Sequence, residues 1–516
     1  MFRSSSLRHS LLLPAIASAA LLAACTTVDW SYERSRSSAL AEPRKTSVGA
    51  LFQEAADQHP GESGFSLVEQ GEAAFLGRLA MADLSEKTLD AQYYIWDGDI
   101  TGRILARHMI RAADRGVRVR LLLDDNYQSH TADIGAAALD AHPNIEIRFF
   151  NPAANRKRRM LSFMADFGRL NHRMHNKLLI SDNALAIVGG RNIGDVYFGV
   201  GAHQNYRDLD VLAAGPIVHE LSEAFDLFWN SEWAIPVGAV VNTLPTEQEL
   251  RDRVTRLEKS IDAEGYPYPM YESVEKLRSR LVQFREDFIW APGRVLVEHP
   301  SRVSSNSENV IGAALAQRAG ETQHELLVES PYFVLGDRTI ESVREHTSRG
   351  VRVRILTNSA ASNDVMAAHA GYAPTRKKLL KAGAELYELR PDSDLTREWS
   401  VLAGKSRAAL HAKALVFDRQ SVCIGSFNLD PRSIVLNTEI GLMIDSPQLA
   451  NQLAAWMDGG ISPGSAYRVT LDARDDLMWT ARDEEGQPVE YGSDPDVSLW
   501  RRFMIGAMRL LPDSQL

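Results

Sequence analysis

His175 and Lys177 stand two residues apart and are followed by Asp182, and His411, Lys413 and Asp418 repeat the same His-x-Lys-x4-Asp spacing. Ten residues beyond each aspartate comes an asparagine, Asn192 or Asn428, preceded by Gly189-Gly190 or Gly425-Ser426. A phosphodiester resists cleavage because its negative charge repels nucleophiles and its alkoxide leaves poorly. Two histidines answer both difficulties. One imidazole attacks phosphorus, while the other, protonated, donates to the leaving oxygen and later activates an acceptor alcohol or water. Imidazole titrates near pH ~6.5, so both protonation states are accessible. Lys177 and Lys413 would hold the non-bridging oxygens, and Asn192 and Asn428 would add hydrogen bonds where charge builds in the transition state. Each histidine also needs a group that fixes its tautomer. Glu439, downstream of His411, is one candidate, and Asp208, with Asp210 as its competitor, is the counterpart in the first half. Asp182 and Asp418 complete the motifs and are expected to hold a turn or partner a basic group.

Side chains two apart on a strand point the same way, so a strand through each motif would aim histidine and lysine into one pocket. Leu178 and Ile180 would then face the core. The motifs sit within a longer repeat. Arg115-Gly116-Val117-Arg118-Val119-Arg120 returns as Arg349-Gly350-Val351-Arg352-Val353-Arg354, at nearly the offset of the histidines. Strand signals over Leu89–Trp96 and Val117–Leu123 flank a helix over Thr101–Arg115, and the segments after Gly215-Pro216 and Ser446-Pro447 read as amphipathic helices. A near-constant offset across these landmarks means duplication of a whole α/β unit. The expected units span 65–235 and 301–460. Between them, 236–300 reads as a helical insertion over the site, with helices at Glu247–Ala263 and Glu272–Phe288. The stretch 461–516 reads as a small hairpin around Gly486 and a last helix with Leu499, Phe503, Ala507 and Leu510 on its docked stripe. Its Arg501, Arg502 and Arg509 could otherwise meet lipid headgroups.

The chain has 516 residues, 45% hydrophobic and 24% charged, with a net charge of −10, which argues against nonspecific nucleic-acid binding. Residues 1–24 have the form of a signal peptide: Arg3 and Arg8, then an apolar run ending Leu22-Ala23-Ala24-Cys25. That ending resembles a lipobox, so Cys25 is expected to carry a lipid anchor, with 25–64 as a linker. Thr26, where an inner-membrane retention signal has Asp, points to a periplasm-facing lipoprotein of the outer membrane. Cys423 is left as a core residue, and two cysteines exclude a cysteine metal site. Arg156-Lys157-Arg158-Arg159 reads as a solvated loop or, alternatively, as a grip on phospholipid. His172, His369 and Tyr372 are further candidates for the pocket or its channel.

The paired motifs are the signature of the phospholipase D superfamily, and residues from about Phe65 to Trp456 resemble a two-motif member. The resemblance implies two α/β sandwich units packed pseudo-symmetrically about one active site, a covalent phosphohistidine, and no metal or other cofactor. It also implies His175 as nucleophile and His411 as general acid and base. Ser426 would donate to phosphate, where the first half has Gly190. Glu329-Ser330-Pro331-Tyr332-Phe333, Thr357-Asn358-Ser359 and His369-Ala370-Gly371-Tyr372 are similar to stretches of bacterial cardiolipin synthases of the C type. The implied reaction transfers a phosphatidyl group between phospholipids, with phosphatidylglycerol and phosphatidylethanolamine as substrates. Hydrolysis to phosphatidic acid is the alternative; a nuclease or a non-catalytic lipid-binding lipoprotein follows at a distance.

Overall fold

The computed structural model describes residues 28–508 except 127, 129, 157, 242–244, 270–272, 306, 396–405 and 484. Residues 1–24, Cys25, Thr26, Lys157, Arg509 and Leu510 lie outside the described residues. Among those described, nine strands form one large sheet and ten form another. The first runs Ile289–Ala291, Ser63–Val68, Asp210–Ala214, Leu185–Gly189, Leu178–Ser181, Thr88–Tyr93, Arg118–Asp124, Ile145–Phe150, Ala234–Pro236. Across the second sheet the equivalent strands follow in the same order, from Gly293–Val297 and Ile440–Asp445 to Ser421–Gly425, Ala414–Phe417, Glu325–Glu329 and Arg352–Asn358. Each sheet has parallel strands at its centre and antiparallel ones beside the motif hairpin. The duplication is therefore structural as well as sequential.

Three apolar layers hold the sheets. Leu178, Ile180, Val188 and Val211 of the first sheet meet Val416, Val422, Ile424 and Leu442 of the second in one shared core, with the helices Ile217–Trp229 and Pro447–Gly460. Leu179 points the other way, into the outer core beneath the helices Gly71–Leu84 and Ile100–Asp114. Both faces of the motif strand are thus buried, which is why its sequence is a continuous apolar run. Asp99 caps the second of those helices by accepting from Gly102 N at 3.0 Å, and Gly116, at φ +92°, turns the chain back into the sheet.

Strands and charges also cross between the units. Gln204–Arg207 of the first pairs in parallel with Arg407–Leu410 of the second. The buried Arg207 guanidinium bonds the buried Glu329 at 3.1 Å and lies 3.4 Å over the ring of the half-buried Trp456. A charge buried with its partner resists separation, because parting them would strand each in a medium that solvates it poorly.

Several expected boundaries move. The described part of the 25–64 linker packs on the first unit. Its helix Ser47–Asp57 places Val48 and Phe52 in the first outer core. The insertion helices form at Glu247–Glu264 and Val274–Arg285, but they pack on the outer helices of the first unit, not over the histidines. Leu277 and Phe284 instead wall a cavity of about 980 Å³ against Leu76 and Leu84. Beyond the insertion, Ile289–Ala291 joins the first sheet and Gly293–Val297 the second, so the second unit starts near Pro292. The hairpin at Gly486 is no separate module: Ala466–Leu471, Leu477–Arg482 and Pro488–Tyr491 extend the second sheet. In the helix Leu499–Met508, Ile505 is the buried residue, while Leu499 and Phe503 face outward.

The motif aspartates lie at the end of the strand away from the histidines. Asp182 and Asn183 both have φ +52°, and Ala184 N closes the turn on Ser181 O at 3.0 Å. Asp and Asn tolerate this left-handed region better than other side chains. The Asp182 carboxylate accepts from Glu86 N, Lys87 N and Thr88 N, each at 2.8 Å. Asp418, at φ +50°, does the same for Gln323 N, His324 N and Glu325 N at 2.7–2.9 Å. Each carboxylate therefore fixes the entry of the neighbouring parallel strand and does not face substrate. Asp182→Ala should leave three amides without an acceptor and cost about 3 kcal/mol, at roughly 1 kcal/mol or more per donor. Denaturant titration should show this loss while turnover per folded molecule stays near the parent's.

Candidate active site

Both histidines sit at the same edge of their units. Leu178 pairs with Gln92, and Ala414 with Glu329, so each His-x-Lys segment enters its strand beside the C-terminal end of a parallel strand. Backbone contacts across the unit boundary hold each segment. His175 N donates to Thr438 O at 2.9 Å, and Thr438 N donates to Arg173 O at 2.9 Å. His411 N donates to Arg207 O at 2.8 Å, and Ala412 N to the same oxygen at 3.0 Å.

The carboxylate partners are crossed between the units. His175 Nδ1 lies 2.8 Å from Glu439 Oε2, and His411 Nδ1 lies 2.6 Å from Asp208 Oδ2. Each unit thus supplies the histidine of one pair and the carboxylate of the other. Pairing by position within each half would have matched them the other way round. Asp210, the competitor for this role, is instead bonded to Arg78 at 2.9 Å and lies 3.3 Å from Arg191. The Nδ1 atom of His175 also meets the Ser426 carbonyl at 3.1 Å. Both its neighbours are acceptors, so Nδ1 carries the proton and Nε2 keeps its lone pair. The same reasoning applies to His411 facing Asp208.

Ser426 serves the carboxylate and not a phosphate. Its hydroxyl donates to Glu439 Oε2 at 2.5 Å, while Ser433 Oγ donates to Glu439 Oε1 at 2.8 Å. In the first half a Cβ on Gly190 would lie 2.1 Å from Asp208 Oδ1, so glycine is what lets this carboxylate sit there. The hydroxyl absent from the first half is therefore the space that Asp208 occupies. Asn192 is also engaged: Oδ1 accepts from Ile95 N at 3.1 Å and Nδ2 donates to Tyr197 OH at 3.0 Å. Asn428 differs, because its buried Oδ1 has no protein partner.

Burial governs the charges here. It pushes His175 down to about 4 against the opposing pull of Glu439, and it lowers His411 together with Lys413, against Asp208. Lys177 is driven well below the usual ammonium range by burial, and Lys413 down to about 8. Burial would raise the two carboxylates, but their histidines and the lysines outweigh it, leaving Glu439 depressed and Asp208 at about 2. Lys177 feels Lys413, Glu439 and Asp208 together, and His175 and His411 each feel the other unit's lysine. The two motifs thus share one electrostatic environment. At neutral pH both imidazoles are neutral between ionised carboxylates, and burial works against the charge on each lysine, a charge that an incoming phosphodiester anion would stabilise.

Aromatic rings complete the walls. Tyr94 stands edge-on to His175 with centroids 4.9 Å apart, and Tyr197 and Tyr206 lie 5.1 and 5.0 Å from His411. Sequence reasoning gave none of the three a role. For Tyr197 and Tyr206 the available signal was nearness in sequence to Asn192 and Asp208. Other expected contributors are used elsewhere. His172 Nδ1 bonds Leu436 O at 2.9 Å; His369 lies 2.9 Å from Arg376, and Tyr372 bonds Glu388 at 2.9 Å, both in the second unit's interior. Arg156 is paired to Asp125 and Asp133, and Arg159 to Asp125 at 2.8 Å, so these two guanidiniums are committed within the fold, while Arg158 is exposed.

A family model described as "Cardiolipin synthase, PLD-like domain" matches residues 79–229 and 315–460, the two halves that carry these crossed pairs. The chain belongs to this phospholipase D-like family. A member named cardiolipin synthase C, from Escherichia coli, is 39% identical over 88% of this chain and 96% of its own length. An uncharacterized protein of Helicobacter pylori is 31% identical over 92% of this chain and 94% of its own. The crystal structure of a Haemophilus influenzae phosphatidylserine synthase shares the fold at a TM-score of 0.52 and 14% identity, covering 79% of this chain and 90% of that one. The resemblance drawn from the motifs thus extends over most of the phospholipase D-like chain.

Proposed function

We propose that the protein is a phosphatidyltransferase that moves a phosphatidyl group between phospholipids through a phosphohistidine. The crossed pairs carry this reading, because each leaves an imidazole Nε2 free beside a buried lysine. The bound phosphodiester anion favours the charged imidazolium, so His411 takes up a proton from solvent at Nε2; His175 Nε2 then forms a bond to phosphorus as the P–O bond to the headgroup breaks, and the leaving alkoxide takes that proton from His411. The hydroxyl of a second phospholipid then gives its proton to His411 and attacks phosphorus, breaking the N–P bond. Lys177 and Lys413 hold the non-bridging oxygens throughout, with Asn428 as a further polar contact. The cardiolipin synthase names among the relatives support phosphatidylglycerol as a substrate. Phosphatidylethanolamine is the expected co-substrate. Lipid at Cys25 would hold the enzyme at the periplasmic face of a bacterial membrane, the outer one by the residue at position 26. No described helix is long and apolar enough to cross a membrane.

Incubation with phosphatidylglycerol, with and without phosphatidylethanolamine, followed by identification of the lipid products, tests the assignment. Cardiolipin as the main product is expected, with its yield unchanged by EDTA because lysines and histidines supply the charge. Phosphatidic acid as the main product would mean that water, not a lipid alcohol, reaches the intermediate.

A further inference from the structure

We propose that the edge bearing the two histidines docks directly into a phospholipid bilayer, through short helices whose apolar faces nothing among the described residues covers. The inference rests on the phosphatidyltransferase reading only for its purpose; the surface itself is a property of the fold. In the first unit, the chain leaves the strand Ile145–Phe150 and forms the helix Arg159–Ala165 before reaching His175. Met160 and Met164 on this helix are each 72% exposed, with Leu161 and Phe167 beside them. The segment from the second unit that packs here carries Ile434 and Val435, also exposed. His172 and Arg432 tie the two together, bonding Leu436 O and Asn171 across the boundary at 2.9 Å each.

A second apolar cluster flanks the other histidine. The helix Leu499–Met508 packs Ile505 against Ala360 and Ala370, which follow the C-terminal end of the strand Arg352–Asn358. Its outer face shows Leu499, Trp500 and Phe503 at 86%, 69% and 64% exposure. Arg501 fixes the helix to the site loop through Ala360 O at 2.8 Å, and Asp364 of that loop bonds Tyr206, whose ring lies against His411. Large apolar side chains this exposed, clustered on the rim of a site, mark a surface that meets something apolar.

A lipid bilayer is the occupant that fits. Both clusters lie at the strand-end edge from which each histidine is reached, and a phosphatidyl substrate has its phosphate at the membrane interface. Tryptophan and phenylalanine beside arginine are the side chains that settle at that depth. The start of the described chain lies on the same edge. Trp30 packs on Trp233, beside the C-terminal end of Ile145–Phe150, with the Arg169 guanidinium 5.2 Å from its ring. Cys25 precedes Val28 by a stretch that reaches roughly 10 Å when extended. An acyl chain on Cys25 would therefore enter the bilayer beside the first cluster.

Two measurements on the full chain test this. With vesicles of equal parts phosphatidylglycerol and brominated phosphatidylcholine, tryptophan emission should be quenched, and Trp500→Phe should lose a clear share of that quenching. This readout needs no turnover, so it stands even if the transfer reaction is wrong. Because Trp500 belongs to the second unit, an anchor at the other end of the chain does not account for its quenching. Separately, Met160→Ser, Met164→Ser, Leu499→Ser and Phe503→Ser combined should raise the KM for vesicle lipid by about tenfold or more, given the apolar area removed. Turnover of a water-soluble short-chain phosphatidylglycerol should stay at the parent's rate, which also shows that the variant is folded. Equal quenching of parent and Trp500→Phe, with an unchanged vesicle KM, would overturn the proposal.

Discussion

His411→Ala should lose steady-state turnover on the order of 10⁴-fold or more and yet release one equivalent of leaving group from an activated phosphodiester, such as a phosphatidyl p-nitrophenol. His175→Ala should lose both. The difference follows from what each imidazole is asked to do. A nitrophenolate departs without a proton, so an attack by His175 can proceed with no general acid. The resulting N–P bond then persists, because no base remains to take the proton from the incoming alcohol. Burial holds His175 at about 4, so it is a neutral nucleophile at pH 7, and its Nδ1 proton is fixed toward Glu439. Stopped-flow release of nitrophenolate measures the burst, and mass spectrometry of the quenched His411→Ala protein should find an acid-labile phosphatidyl adduct on the peptide containing His175. A burst that survives in His175→Ala and vanishes in His411→Ala would exchange the two roles. No burst in either would end the covalent scheme.

The repeated motif was legible because a fold duplicated in the gene keeps its spacing, and the matching order of strands in the two sheets is the physical counterpart of that offset. Positions that depend on contact between the units were not. Chain order puts Glu439 with His411, but the units face each other across a shared core, and at that boundary each carboxylate lies nearer the opposite histidine. Periodicity did find the helices 247–264 and 274–285, yet it could not say which wall they lean on. Their partly buried Val254, Leu257, Leu277 and Leu281 pack against the first unit's outer core and not the site. The family resemblance implies Ser426 as a phosphate donor, at the position where the first half has Gly190. Only the geometry shows its hydroxyl committed to Glu439, a bond that a sequence does not display. The last helix shows the same limit from the other side. Its stripe through Leu499 and Phe503 is amphipathic, but the fold docks the face carrying Ile505 and leaves the stripe outside.

The crossed pairing makes a second prediction that chain order would get backwards. Glu439→Gln should act on the histidine of the other unit, slowing the nitrophenolate burst as well as turnover. Asp208→Asn should spare the burst and slow only the later, base-assisted step and the reactions that need a protonated leaving group. Steady-state losses on the order of 10²–10⁴-fold are expected for both, the range found when a carboxylate that fixes a catalytic imidazole becomes an amide. The amide keeps the volume, so folding should survive, but it cannot hold the Nδ1 proton with a full negative charge. Neither substitution is neutral for its surroundings. Glu439 also accepts from Ser426 at 2.5 Å and Ser433 at 2.8 Å, so Gln must turn one end toward a hydroxyl and one toward the ring. Asp208 has Gly190 behind it with no room for a side chain, and its Oδ1 accepts from Leu209 N at 2.8 Å, which favours an Asn that keeps its oxygen there and presents NH₂ to His411. Two donors would then face each other at the ring, and the imidazole would be driven to its other tautomer, with the proton on the atom that should receive one. If Asp208→Asn removed the burst and Glu439→Gln left it whole, each carboxylate would serve the histidine of its own unit, and the exchange seen at 2.6 and 2.8 Å would not be the working arrangement.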